Sequence, residues 1–260
     1  MAQDYIILSL VALVAGAINA FAGGGTLLTF PVLFAALGGT ATAAVIANAT
    51  NTVALVPAAI AALAGYRREF AQVWRWGAML VAPSLIGGIV GALLVVVMPP
   101  ETFEVAVPWL ILAAATLFAV QPRFGRWVGA GQAHGPPTGR IAAAAIAFQF
   151  VVAVYGGYFG AGMGILMLAA LAMIGLDDIH RMNAVKSLLG AAIKGTSVVV
   201  FATSDKVHWP YAITMGIAAS VGGYVGAHYV RRVNRTLARS IVVVLGFLLA
   251  AYYFYREFAT

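Results

Sequence analysis

The chain has 260 residues, 63% of them hydrophobic and 9% charged, with a mean hydropathy of +0.97. Soluble domains carry about 25% charged residues, so the composition excludes a soluble domain and describes an all-α polytopic membrane protein, 1–260 forming a single transmembrane domain. The net charge of +7 reads as loop charge at one membrane face rather than a nucleic-acid surface, and the lack of cysteine removes disulfides and thiolate chemistry.

The first five residues, MAQDY, lack the basic n-region of a cleaved signal peptide and read as mature chain. An apolar segment over 5–21 ends at Gly23-Gly24-Gly25, and a shorter one follows over 26–37. At about 1.5 Å per residue they span ~26 Å and ~18 Å, short of a hydrocarbon core of about 30 Å. They are expected to form a broken or re-entrant pair. Three transmembrane helices are predicted next, over 42–66 (kinked at Pro57), 76–98 and 103–120. The polar stretch 121–140 reads as a linker. The pattern then begins again, with segments over 141–155, 163–174, 179–203, 209–230 and 237–255.

The two halves, 1–120 and 141–260, are a repeat that is visible residue by residue. At a separation of 135, Ile86-Gly87-Gly88-Ile89-Val90-Gly91-Ala92 matches Val221-Gly222-Gly223-Tyr224-Val225-Gly226-Ala227, and Trp74 matches Trp209. Asn48, Asn51 and Thr52 fall on Asn183, Lys186 and Ser187, while the glycine breaks align at 137. The small-residue motifs read as close helix packing. Charge sets how the copies are related. With five segments per copy, eleven of the fifteen basic residues fall on one side, and only Lys206 and Arg256 lie opposite. The positive-inside rule then favours two inverted repeats, a cytoplasmic linker over 121–140 and both termini outside.

No acidic residue lies in the middle of a predicted span, whereas Lys186 and Lys194 both do. A buried ammonium without an acid loses its proton or pairs with something the sequence does not contain. An anionic substrate fits that role. Gly190, between the lysines on one helix face, leaves space beside them. The glycine breaks, Gly24 and Gly25 in one copy and Gly160, Gly162 and Gly164 in the other, place half-helix N-termini in the protein interior. Each such end carries free N–H groups and about half a positive charge. Two of them converging at the midplane would clamp an anion, with Asn19, Thr29, Asn48, Asn51, Asn183 and Ser187 as further donors. The predicted substrate site is therefore Lys186, Lys194, Asn48, Asn51, Asn183 and the five glycines. No catalytic residue, metal ligand set, cofactor motif or nucleotide-binding motif is read from the sequence. The four histidines, His134, His180, His208 and His228, fall at segment ends.

The run Gly23-Gly24-Gly25-Thr26-Leu27-Leu28-Thr29-Phe30-Pro31, its degenerate copy over 156–164 and Asn183-Ala184-Val185-Lys186 resemble the TauE/SafE family of sulfite and organosulfur anion exporters. The resemblance covers both halves. It implies a multi-pass bacterial-type inner-membrane transporter for small sulfur-containing anions such as sulfite or sulfonates, and the inverted repeats make a secondary transporter working by alternating access, with no cofactor, the leading reading. A passive anion channel, or a transporter of another small organic anion, is the alternative.

Overall fold

A computed structural model describes residues 2–21, 24–127, 138–176, 178–229 and 235–259. Every secondary-structure element among them is a helix, as expected where no water satisfies backbone groups. The first half contains α1 (Ala2–Phe21), α2 (Gly25–Ala36), α3 (Ala41–Gly65), α4 (Arg67–Val97) and α5 (Pro100–Trp127). The second contains α6 (Gly139–Tyr158), α7 (Met163–Met173), α8 (Ile179–Ala202), α9 (Trp209–Tyr229) and α10 (Arg235–Ala259). By length and composition α1, α3, α4, α5, α6, α8 and α10 are able to cross a membrane. Helix α9 is as long, but Gly216, Ser220, Gly222, Gly223 and Gly226 dilute its hydropathy.

The broken pairs differ from expectation in one respect. Helices α1 and α6 each have 20 residues, about 30 Å at 1.5 Å per residue, so each is long enough to cross by itself. The polar residues Gln3 and Asp4, and Arg140 in the second half, extend the helices beyond the apolar runs. Asp4 sits in the first turn of α1, where a carboxylate is favoured by the helix dipole. Only α2 and α7 are short, with 12 and 11 residues. Helix α2 doubles back along α1: a Cβ on Gly25 would lie 2.8 Å from the Ala15 carbonyl oxygen. Further along, Pro31 and Val32 share a groove with Leu10 and Val14.

Other boundaries shift in the same direction, towards longer helices. Helix α4 starts at Arg67 rather than 76, with a bend at Val73 (φ −127°, ψ 18°) that separates a charged first segment from the apolar remainder. Helix α3 remains one helix across Pro57. Helix α5 runs on to Trp127, seven residues into the expected linker, and the described chain resumes at residue 138. The rest of that linker lies outside the described residues.

Helix α1 packs on α9 and α6 on α4; α9 also packs on α3, and α4 on α8. Exchanging the two halves reproduces each pairing. The pairs α3 with α8 and α5 with α10 map onto themselves. Glycine permits this closeness. A Cβ on Gly222 would lie 1.8 Å from the Leu13 carbonyl oxygen, and one on Gly226 would lie 2.6 Å from Ala17 Cα. In the other half, a Cβ on Gly91 would stand 2.1 Å from the Val154 carbonyl oxygen and one on Gly87 2.8 Å from that of Phe150. Both duplicated motifs are therefore backbone-to-backbone packing seams. Position numbers rise together along each seam, so α1 runs parallel to α9 and α4 parallel to α6.

Candidate functional site

Helix α8 carries the buried cations. It starts at Asp178, whose carboxylate accepts from the His180 and Arg181 amides at 2.8 and 2.9 Å. The Arg181 N–H bond is the main cause holding that carboxyl below the usual carboxylate range. From this fixed start, Lys186, Gly190 and Lys194 stack at four-residue intervals on one face. The lysines are 6% and 5% exposed.

Both lysines line one cavity. Its other walls are Ser187 and Gly190 of α8, Met163, Gly164 and Met167 of α7, Asn19 of α1 and Ala59 of α3. No carboxylate is among these lining residues. The cavity holds about 40 Å³ of free space, room for roughly three water-sized groups at about 10–15 Å³ each. A compact oxyanion has that size.

The second glycine break aims the start of α7 at this space. Gly160 and Gly162 adopt φ of 79° and 77°, the left-handed region that glycine enters without strain. The Phe159 and Gly160 amides close the end of α6 on the Tyr155 carbonyl at 2.9 and 3.1 Å, and the Tyr155 hydroxyl donates to the Ala161 carbonyl at 2.5 Å. No side chain caps α7. The Ile165 amide bonds back to Gly162 at 3.0 Å, while those of Met163 and Gly164 belong to the first turn, where a helix offers no partner. Gly164 is in the cavity wall. The site thus adds a helix dipole end to two buried lysine amines.

Of the residues predicted from sequence, the structure brings Lys186, Lys194 and Gly164 together at the cavity with the candidate donors Asn19 and Ser187, and Gly160 and Gly162 shape the turn that leads to it. The others sit elsewhere. Asn183 donates to the Ile179 carbonyl of its own helix at 2.9 Å. Asn48 donates across the halves to the Tyr158 carbonyl at 2.8 Å, securing the end of α6. Asn51 accepts from the Thr29 hydroxyl at 2.5 Å. Gly24 has φ −103°, so its conformation does not require glycine; closeness does, because a Cβ there would lie 2.5 Å from the Phe118 ring. Gly25 packs on Ala15. The described cavity lining therefore includes one half-helix end, not two.

The repeat explains why. At the separation of 135, Lys186, Gly190 and Lys194 correspond to Asn51, Leu55 and Ala59. At 137, Met167 corresponds to Phe30. Leu55 and Phe30 are fully buried and are bulkier than the glycine and methionine that line the cavity at the corresponding points of the second half. Sequence reasoning missed Ala59, Met163 and Met167. Ala59 was within reach: α3 and α8 are repeat mates in contact, and Ala59 is the mate of Lys194.

Residues 8–253 match the family described as Sulfite exporter TauE/SafE. The probable membrane transporter protein YfcA of Escherichia coli (strain K12) is 26% identical over 245 residues, covering 94% of this chain and 87% of that protein. A probable membrane transporter protein of Haemophilus influenzae is 26% identical over 252 residues, 96% of this chain and 94% of its own length. The probable membrane transporter protein ORF9 of Sinorhizobium sp is 23% identical over 243 residues, with 94% and 89% covered. The match spans both halves and every residue of the cavity wall, so the chain belongs to the TauE/SafE family and is a multi-pass membrane transporter of the bacterial inner membrane.

Proposed function

We propose that the chain exports small sulfur-containing anions, such as sulfite or a compact sulfonate, by alternating access of two inverted halves around the cavity on α8. The observation that carries this reading is a cavity of oxyanion size, walled by two buried lysines and the start of α7, with no acid in its lining. A site built this way is matched to negative charge and repels metal cations.

The packing supports the inverted arrangement. Helices α1 and α3 both run parallel to α9, since Thr50, Ala54 and Ala58 of α3 meet His208, Gly216 and Gly223 in rising order. Helix α4 follows α3 through a single residue, Tyr66, and so turns back. Helix α6 is parallel to α4, which sets it antiparallel to its repeat mate α1. Inverted halves with a midplane site at their interface are the recurrent design of secondary carriers.

A thermal-shift screen of purified protein against sulfite, sulfate, thiosulfate, sulfoacetate and taurine tests the substrate. Sulfite is expected to stabilise most, since a ligand at about 100 times its Kd adds ~2.7 kcal/mol. Bulkier taurine and sulfoacetate are expected to stabilise less, because the cavity holds about three water-sized groups. No shift with any of the five compounds would refute the reading. Saturable transport with counterflow in proteoliposomes would then separate a carrier from a channel.

A further inference from the structure

We infer that the site takes up a proton together with its anion, and that Lys194 is the group that carries it. The inference rests on the proposed anion site and adds the coupled ion. Two amines share one cavity of about 40 Å³, and both are buried. An anion brings neutralising charge into that space, so occupancy and the number of protons on the amines are linked.

Lys194 is the better proton carrier of the pair. A Cβ on Gly190 would meet Met163 Cε at 3.8 Å, and one on Gly156 would meet both Met163 Sδ and Ile193 Cγ2, so the positive start of α7 lies against the stretch of α8 that leads to Lys194 and disfavours a second charge there. Lys194 is two turns beyond Lys186 along α8, in the cavity where the side chains of Ala59 of α3 and Met163 and Met167 of α7 contribute no charge. The groups facing it from each packed element are few. Helix α1 contributes Asn19 and α3 contributes Ala59. Helix α4 meets α8 at Gly77 and Gly88, and its charged residues, Arg67, Arg68, Glu69 and Arg75, all precede those contacts. Helix α6 carries Arg140 in its first turn and Tyr155 and Tyr158 in its last, and the Tyr155 hydroxyl is committed to the Ala161 carbonyl. Along α8 itself, Lys186 is the other titratable group in the cavity wall.

The step balances simply. The anion enters, the Lys194 amine accepts one proton from solvent, and the filled cavity holds two ammonium groups around it. Leaving the site returns both anion and proton to the same side. The chain would thus move them together, so that a monoanion travels without net charge.

Calorimetry on the detergent-purified full chain, with methanesulfonate and sulfate as probes because neither titrates near neutral pH, measures the proton count directly. Titrations in two buffers of different ionisation enthalpy give the protons taken up per anion. Towards alkaline pH the parent is expected to approach one, with Kd rising towards tenfold per pH unit. Lys194→Arg, charged at every pH used, is expected to show no uptake and a pH-independent Kd, whatever its absolute affinity. Binding by the parent with no proton uptake, or unchanged uptake in Lys194→Arg, overturns the proton inference and leaves the anion site standing. No binding of either probe in calorimetry overturns the proton inference, and no shift with any compound of the thermal-shift screen refutes the anion site as well.

Discussion

Gly190→Leu is expected to abolish anion binding in a protein that still folds and inserts. The substitution places in the second half the residue that already occupies the equivalent point in the first, Leu55. That leucine is fully buried within an intact helix, so the change is one the repeat accommodates elsewhere. A Cβ on Gly190 would find its nearest neighbour, Met163 Cε, at 3.8 Å, ordinary van der Waals contact. Alanine therefore fits without strain and only narrows the cavity. Leucine adds three further carbons to a space that holds about three water-sized groups. Overpacking costs roughly 1–3 kcal/mol of stability, which insertion tolerates, whereas exclusion removes the anion's contacts outright. We expect at least a ~100-fold loss of binding, equivalent to about 2.7 kcal/mol, for leucine, and a smaller loss for alanine. Equal binding by all three proteins in a titration would place the anion elsewhere.

The second large effect is at Lys186. Methionine retains most of the side-chain volume and removes the charge, so the packing around α8 is preserved. A charge-assisted hydrogen bond contributes about 1.5–3 kcal/mol, or roughly 10- to 150-fold in affinity. Lys186→Met should weaken sulfite binding by that factor with little change in thermal stability of the unliganded protein. Lys186→Arg should recover only part of it, because a planar fork is a poor substitute for a compact ammonium in so small a space. Affinity within about twofold of the parent for Lys186→Met would remove this lysine from the site.

Much of the architecture was legible because it is repetitive and apolar. The duplicated Gly87-Gly88-Ile89-Val90-Gly91 and Gly222-Gly223-Tyr224-Val225-Gly226 runs declared both the repeat and the seams it forms, since only glycine lets carbonyls approach so closely. Helix ends were harder to read. Polar residues such as Asp4 and Arg140 continue helices past the apolar runs, and hydropathy alone cannot register that. The lysines stood out because charge in a span is rare.

The rest of the site was hidden by the near-symmetry that revealed the fold. Gly24 and Gly160 look alike in sequence, yet one lies against Phe118 at a negative φ and the other makes a left-handed turn. Asn48 and Asn51 read as donors to a ligand, but they bond to Tyr158 and Thr29, partners distant in sequence. Which of two equivalent spaces remains open depends on Gly190 against Leu55 and Met167 against Phe30. Those differences acquire meaning only when the halves are packed together.

The central claim is that one anion is held on α8 in the second half. Locating bound selenite, the heavier congener of sulfite, by anomalous scattering from crystals of the purified protein tests it most directly. The account predicts a single strong peak within hydrogen-bond reach, about 2.7–3.2 Å, of Lys186 Nζ or the Gly164 amide. A peak beside Gly24 and Phe118 in the first half, with none on α8, would contradict it.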